Sequence, residues 1–86
     1  MEIRYTTHFD RAFRKKAKNN RQLVVKIKKQ VILLRNDFRH PSLKLHKLKG
    51  ERAEEFSFWI EGNLRVTFMI IEDVILFTDI ITHDEY

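Results

Sequence analysis

Cysteine is absent from the 86 residues, which excludes disulfides, thiolate catalysis and Cys-containing zinc sites and suits a reducing compartment. Proline occurs once and glycine twice, and no linker, repeat or low-complexity segment interrupts the chain. The longest stretch free of charge and strong polarity is "VTFMII", Val66 to Ile71, far short of a bilayer span. The first twenty residues are rich in Arg and Lys and contain no signal-peptide core, so a cytoplasmic protein without membrane contact is expected. Acidic residues are scarce in one half only. Residues 1–50 carry fifteen Lys and Arg against three acids, and residues 51–86 carry two against nine. The net charge of +5 therefore conceals a basic first half, an imbalance that attracts a polyanion, nucleic acid or an acidic protein alike. The plainer alternative is that these cations solvate two amphipathic helices.

What is present suffices for one core. Apolar residues make up 43% of the chain, with seven Phe, enough for a single domain over residues 1–86 without metal or disulfide staples. "MEIRYT" reads as a short strand. Thr7 offers a hydroxyl cap with Asp10 three residues on, and the helix expected over 8–18 aligns Phe9, Ala12, Phe13 and Ala17. A second helix, over 21–38, carries Leu23, Ile27, Val31, Leu34 and Phe38 at spacings of three and four, and Pro41 stops it. The remainder is strand-like: "LKLHKL", "EEFSFWI", "LRVTFMII" and Val74 to Ile81. A three-residue loop "EGN", with Asn63 in the left-handed conformation, pairs Ile60 with Leu64, Trp59 with Arg65, Phe58 with Val66, Ser57 with Thr67 and Phe56 with Phe68. That register gathers the apolar side chains on one face and leaves Ser57, Trp59, Arg65 and Thr67 on the other. The fold class is α+β, β-α-α-β-β-β-β, with both helices on one face of a mostly antiparallel sheet.

The polar face is the candidate site. Beside Trp59 and Arg65 come His46, Lys44, Lys47 and Lys49 on the adjoining segment, Arg52 just after it, and His83 past the last strand. A basic, aromatic-bearing surface with two histidines holds a nucleic-acid strand by phosphate contacts and stacking. It also contains what RNA self-cleavage requires: imidazoles to move protons near neutral pH and a guanidinium for the phosphorane-like transition state. That scheme needs no metal or cofactor. Each residue also has a duller reading: His83 as a polar strand end, His46 as a solvent-exposed residue, Arg65 as a partner of Glu61 or Glu55, and Trp59 as a gap-filler. Asp84 and Glu85 read as solvation of the tail, and His40 as a turn residue. Only their convergence on one side of the sheet carries weight.

Those residues resemble a family. The chain is similar throughout to the RelE/ParE superfamily of toxins from type II toxin–antitoxin systems, most of all to its RelE and YafQ-like mRNA interferases. "HKLKG" resembles an H-x-L-x-G segment, "LRVTF" a strand whose arginine contacts the scissile phosphate, and "THDEY" a terminal motif with a catalytic histidine. The resemblance thus implies His46, Arg65 and His83 as catalytic residues, with Tyr86 as a contributing terminal aromatic. Beside it, the reading of the polar face takes Lys44, Lys47, Lys49, Arg52 and Trp59 as RNA-binding. The resemblance further implies cleavage of mRNA in the ribosomal A site and neutralisation by an acidic antitoxin. Trp59 stands where YafQ-like members carry a second histidine, Asn63 where they carry an aspartate, and Ser42 where the YoeB-like branch carries a glutamate base. Two alternatives stay open: a ParE-type, non-enzymatic inhibitor of DNA gyrase, and an inactive regulator on the same fold.

Overall fold

The computed structural model describes residues 1–82. Its elements run β1 (Glu2–Tyr5), α1 (Thr7–Ala17), α2 (Arg21–Asn36), β2 (His46–Lys47), β3 (Phe56–Glu61), β4 (Leu64–Ile71) and β5 (Val74–Thr82), with short 3₁₀ turns at Pro41–Leu43 and Gly50–Arg52. The sheet order is β1-β5-β4-β3-β2. Every pairing is antiparallel except that of β1 with β5, where Ile3 lies opposite Ile75 and Tyr5 opposite Phe77. The expected order of elements and the mostly antiparallel sheet are therefore present.

Local chemistry sets the helix ends. Thr6, rather than Thr7, caps α1: its Oγ1 accepts from the Phe9 amide at 3.0 Å, which satisfies one of the first-turn donors. Asp10 does not complete a capping box but takes the Nε of Arg14, one turn on, at 3.0 Å. Asn20 caps α2 through its side-chain oxygen, 3.1 Å from the Leu23 amide. That helix ends at Asn36, two residues before Phe38, which is left exposed.

Both helices cover one side of the sheet, α1 against β5 and α2 against β3. Phe9, Leu23, Ile27 and Leu34 meet Phe58, Ile60, Val66, Phe68, Ile75, Phe77 and Ile80 in one cluster. Phe58, Val66 and Phe68 are fully buried, each worth about 1.5–3 kcal/mol by area alone. Among the described residues no helix is long and apolar enough to cross a membrane.

The β3–β4 hairpin keeps four of the five expected pairs, from Phe56↔Phe68 to Trp59↔Arg65. The fifth is shifted: Glu61, not Ile60, lies opposite Leu64. A two-residue turn with a bulge at Ile60 replaces the three-residue loop. Gly62, at φ +51°, takes the left-handed conformation assigned to Asn63, because a residue without Cβ adopts it at no steric cost. The bulge leaves the inward and outward sets of side chains in place.

The segment between α2 and β3 departs most from expectation. "LKLHKL" is not a full strand. Only His46–Lys47 pairs with β3, and Lys44, at φ +45°, ends the preceding 3₁₀ turn in the left-handed region. Leu43 and Leu45 of this segment pack into the helix-side core, and from Leu48 on it folds over the side of the sheet that the helices leave open. The Leu48 amide donates to Glu55 O at 2.9 Å, and the Arg52 guanidinium reaches Thr67 on β4. Leu48 and Ile81 are both buried yet lie outside the helix-side cluster.

Candidate functional site

Alternation along β3 and β4 places Ser57, Trp59, Arg65 and Thr67 away from the helices. They form two cross-strand rows, His46–Ser57–Thr67 and Trp59–Arg65–Ile81. The expectation of a solvent-facing polar surface is corrected here. Ser57 and Thr67 are fully buried and Arg65 is 6% exposed, because Lys44 O, Arg52 and Glu55 close over this side as a roof. These polar groups tolerate burial because they bond one another and the roof.

Arg65 is the centre of the arrangement. Its Nε donates to Ser57 Oγ at 2.9 Å, and its Nη2 donates to the carbonyl oxygen of Lys44. Neither Glu61 nor Glu55, the partners considered for it from sequence, is its acceptor; those two carboxylates hold Lys26 at 3.0 Å and Arg52 at 2.7 Å. The left-handed turn at Lys44 aims that carbonyl inward and sends its side chain outward, where Nζ stands 4.6 Å from the centroid of the Trp59 ring. Trp59 is half-buried, and its Nε1 is tied to Gly62 O at 2.8 Å. A fixed positive charge thus lies on the floor, with an ammonium and an indole stacked above the neighbouring position.

Lys44, His46, Lys47 and Lys49 are all solvent-exposed on one short ribbon, and His46 lies opposite Ser57, the acceptor of Arg65 Nε. Arg52 does not join them. Its Nε and Nη2 grip both oxygens of Glu55 at 2.7 and 3.1 Å, and Nη2 also reaches Thr67 Oγ1 at 3.2 Å. Nε and Nη2 of the residue expected to bind RNA are thus engaged within the fold, where they tie Glu55 to Thr67. His83 and Tyr86 lie outside the described residues.

Two residues with consequences for the site escaped the sequence reading. Gln30 is buried at 5% exposure, and its Nε2 donates to Trp59 O at 2.8 Å and Ser42 O at 3.3 Å. The signal was a polar side chain on the apolar stripe of α2, between Ile27 and Leu34. Glu55 accepts from Thr78 Oγ1 at 2.5 Å besides Arg52. The Arg52 guanidinium holds its carboxyl below the usual glutamate range, against the opposing effect of burial and with help from Thr78. Its i, i+3 spacing from Arg52 was the available clue. His8, to which no role was given, sits 3.1 Å from Asp79 Oδ1, and His40 does cap a turn, accepting from the Ser42 amide.

No family model and no curated protein matches the sequence. Solved structures do match in fold. YafQ from E. coli strain BL21(DE3) superposes with a TM-score of 0.80 at 19% identity, over 98% of this chain and 94% of that one. A YoeB/ParE toxin from Agrobacterium tumefaciens superposes at 0.82 with 16% identity, over 96% and 99%. The toxin in the E. coli DinJ–YafQ toxin–antitoxin complex superposes at 0.77 with 20% identity, over 98% and 93%. The chain has the fold of these toxins, two helices on a five-stranded mixed sheet.

Proposed function

We propose that the chain is the toxin of a type II toxin–antitoxin pair in the RelE/ParE superfamily, on its RelE/YafQ-like branch, and that it cleaves mRNA in the ribosomal A site. The observation that carries this reading is the exposed ribbon Lys44-Leu45-His46-Lys47, set beside Trp59 and over the buried guanidinium of Arg65. It occurs on a fold shared with YafQ and YoeB/ParE toxins.

In the reaction the ribose 2′-oxygen forms a bond to the adjacent phosphorus while the bond from phosphorus to the 5′-oxygen breaks. The 2′-hydroxyl proton passes to a base, and a proton from an acid neutralises the departing 5′-oxygen. We assign the acid to His83, two positions along the chain from Ile81, which pairs with Arg65. His46 is the base or the group that orients it, and Tyr86 contributes at the terminus. Arg65 supplies positive charge from the floor, where low dielectric strengthens its field at the phosphorane and preorganisation spares reorganisation cost. Lys44, Lys47 and Lys49 hold RNA phosphates, and Trp59 offers a stacking surface. No metal or cofactor takes part.

The partners of this reading are the ribosome with its mRNA and an acidic antitoxin. The basic first half suits both, and the DinJ–YafQ complex is the precedent for the second. The protein acts as a single domain in the cytoplasm. The test is toeprinting of translating ribosomes with purified wild type and His83→Ala, alongside a gyrase supercoiling assay. A-site cuts that disappear in the variant are expected. Undiminished cuts in the variant would remove His83 from the mechanism, and loss of supercoiling without RNA cuts would replace the reading with the gyrase-directed one.

A further inference from the structure

β2 covers only Phe56 and Ser57 of β3, so among the described residues no strand lies beside the outer edge of β3 beyond Ser57. Its carbonyl at Trp59 is taken instead by Gln30 from α2. Between this edge and α2 a cleft of about 170 Å³ remains, lined by Lys26, Lys29, Gln30, Trp59, Ile60 and Glu61. Sites that enclose a whole small molecule run to about 300–1,000 Å³, so this one suits a single planar ring and excludes a folded cofactor.

The lining has the character of a nucleotide subsite. Trp59 is held rigidly through Nε1 to Gly62 O and through its carbonyl to Gln30, so stacking on it costs little ordering. Lys26 is neutralised by Glu61 at 3.0 Å. Lys29 is exposed and has no acidic partner among the described residues, which leaves its ammonium for a phosphate. The carboxylate of Glu61 is an acceptor for the exocyclic amino group of a base. We propose that this cleft binds one unpaired nucleotide flanking the scissile one, its base on the Trp59 surface already assigned to stacking and its phosphate on Lys29, so that the RNA turns over the edge of β3 towards α2. The inference rests on RNA being the substrate and adds a second subsite to it.

Trp59 is the sole tryptophan in the chain, so its emission reports this position alone. The experiment titrates the full chain with hexa-adenylate RNA, following Trp59 fluorescence and, with labelled RNA, anisotropy. Saturable quenching that follows the anisotropy is expected. Lys29→Ala should weaken binding and lower the slope of log affinity against log salt by about one, and Trp59→Leu should weaken anisotropy-detected binding by about tenfold. Lys15→Ala, at an exposed lysine of α1 outside the cleft, should bind and quench like wild type, which separates the contribution of Lys29 from general basic charge. Absence of binding, binding without quenching, or an unchanged salt slope in Lys29→Ala would each overturn the subsite. Absence of A-site cuts by wild type with quenching intact would overturn the nuclease reading and leave the subsite in place.

Discussion

Replacing Glu55 with Gln tests what holds the roof over the buried polar layer. The carboxylate accepts two bonds from Arg52, at 2.7 and 3.1 Å, and one from Thr78 at 2.5 Å. Thr78 in turn bonds Thr67, which is fully buried, at 2.7 Å. Glutamine keeps the shape but removes the charge and turns an amide donor towards donors. Bonds to charged groups contribute about 1.5–3 kcal/mol each. The Arg52 side chain is 32% exposed and the Glu55 side chain 15%, so water recovers part of what Arg52 loses. A net loss of about 2 kcal/mol is expected, which lowers the melting temperature of a domain this size by about 10 °C.

The effect has a defined pH dependence. Arg52 first, then Thr78, lower the folded pKa of Glu55, while burial opposes them. A lowered folded pKa contributes stability that is complete above the unfolded value and is lost as pH falls through the folded one. The gap between wild type and Glu55→Gln should therefore be full at pH 7 and shrink as acid protonates the wild-type carboxyl. Circular dichroism melts at pH 7 and near pH 3.5 measure both. Amide exchange adds a local readout: the Leu48 N–H, bonded to Glu55 O at 2.9 Å, should exchange faster in the variant. Equal melting temperatures at pH 7, or a gap that persists undiminished in acid, would refute this account of the clasp.

Other sites give simpler expectations. Gln30→Leu leaves Trp59 O and Ser42 O without their donor and should cost about 1–3 kcal/mol in urea unfolding; no loss would mean that water replaces the amide. Glu72 occupies the β4–β5 turn at φ +55°, so Glu72→Gly should stabilise by up to about 1 kcal/mol, readable as a higher denaturation midpoint. Gly62→Ala, at φ +51° with nothing within 4 Å of an added Cβ, should cost about 1 kcal/mol through backbone conformation alone. Arg65→Lys keeps the charge but cannot serve Ser57 Oγ and Lys44 O with the same planar fork. It should lower cleavage in the toeprint assay while retaining RNA affinity, and undiminished cleavage would show that charge alone suffices.

How far the sequence reached depended on whether a rule was local. Leu23, Ile27 and Leu34 are buried on α2 because a 3.6-residue period needs no knowledge of partners. The hairpin pairs from Phe56↔Phe68 to Trp59↔Arg65 were readable because a tight turn ties register to side-chain alternation. The bulge at Ile60 was not, since two loop lengths differ by one residue and Gly62 rather than Asn63 settled the choice. The parallel pairing of β1 with β5 joins residues over seventy positions apart, with no turn to set the register.

The buried polar layer was illegible for a different reason. Alternation separates the two faces of a strand but does not say what lies over each. Ser57, Arg65 and Thr67 read as solvent-facing because isolated polar groups are costly to bury, yet that cost falls once every donor meets an acceptor. Here Ser57 and Lys44 O take two donors of Arg65, while Arg52, Thr67, Thr78 and Glu55 form a linked set beside it. Among the described residues no buried side-chain nitrogen or oxygen lacks a partner. The same bonds that permit burial also immobilise the guanidinium, since moving it would leave Ser57 Oγ and Lys44 O without their donor. A cation held this way does not rearrange when a phosphate arrives. On the proposed reading Arg65 therefore acts through a fixed field, and adjustment to the substrate falls to the exposed lysines of the ribbon at 44–49.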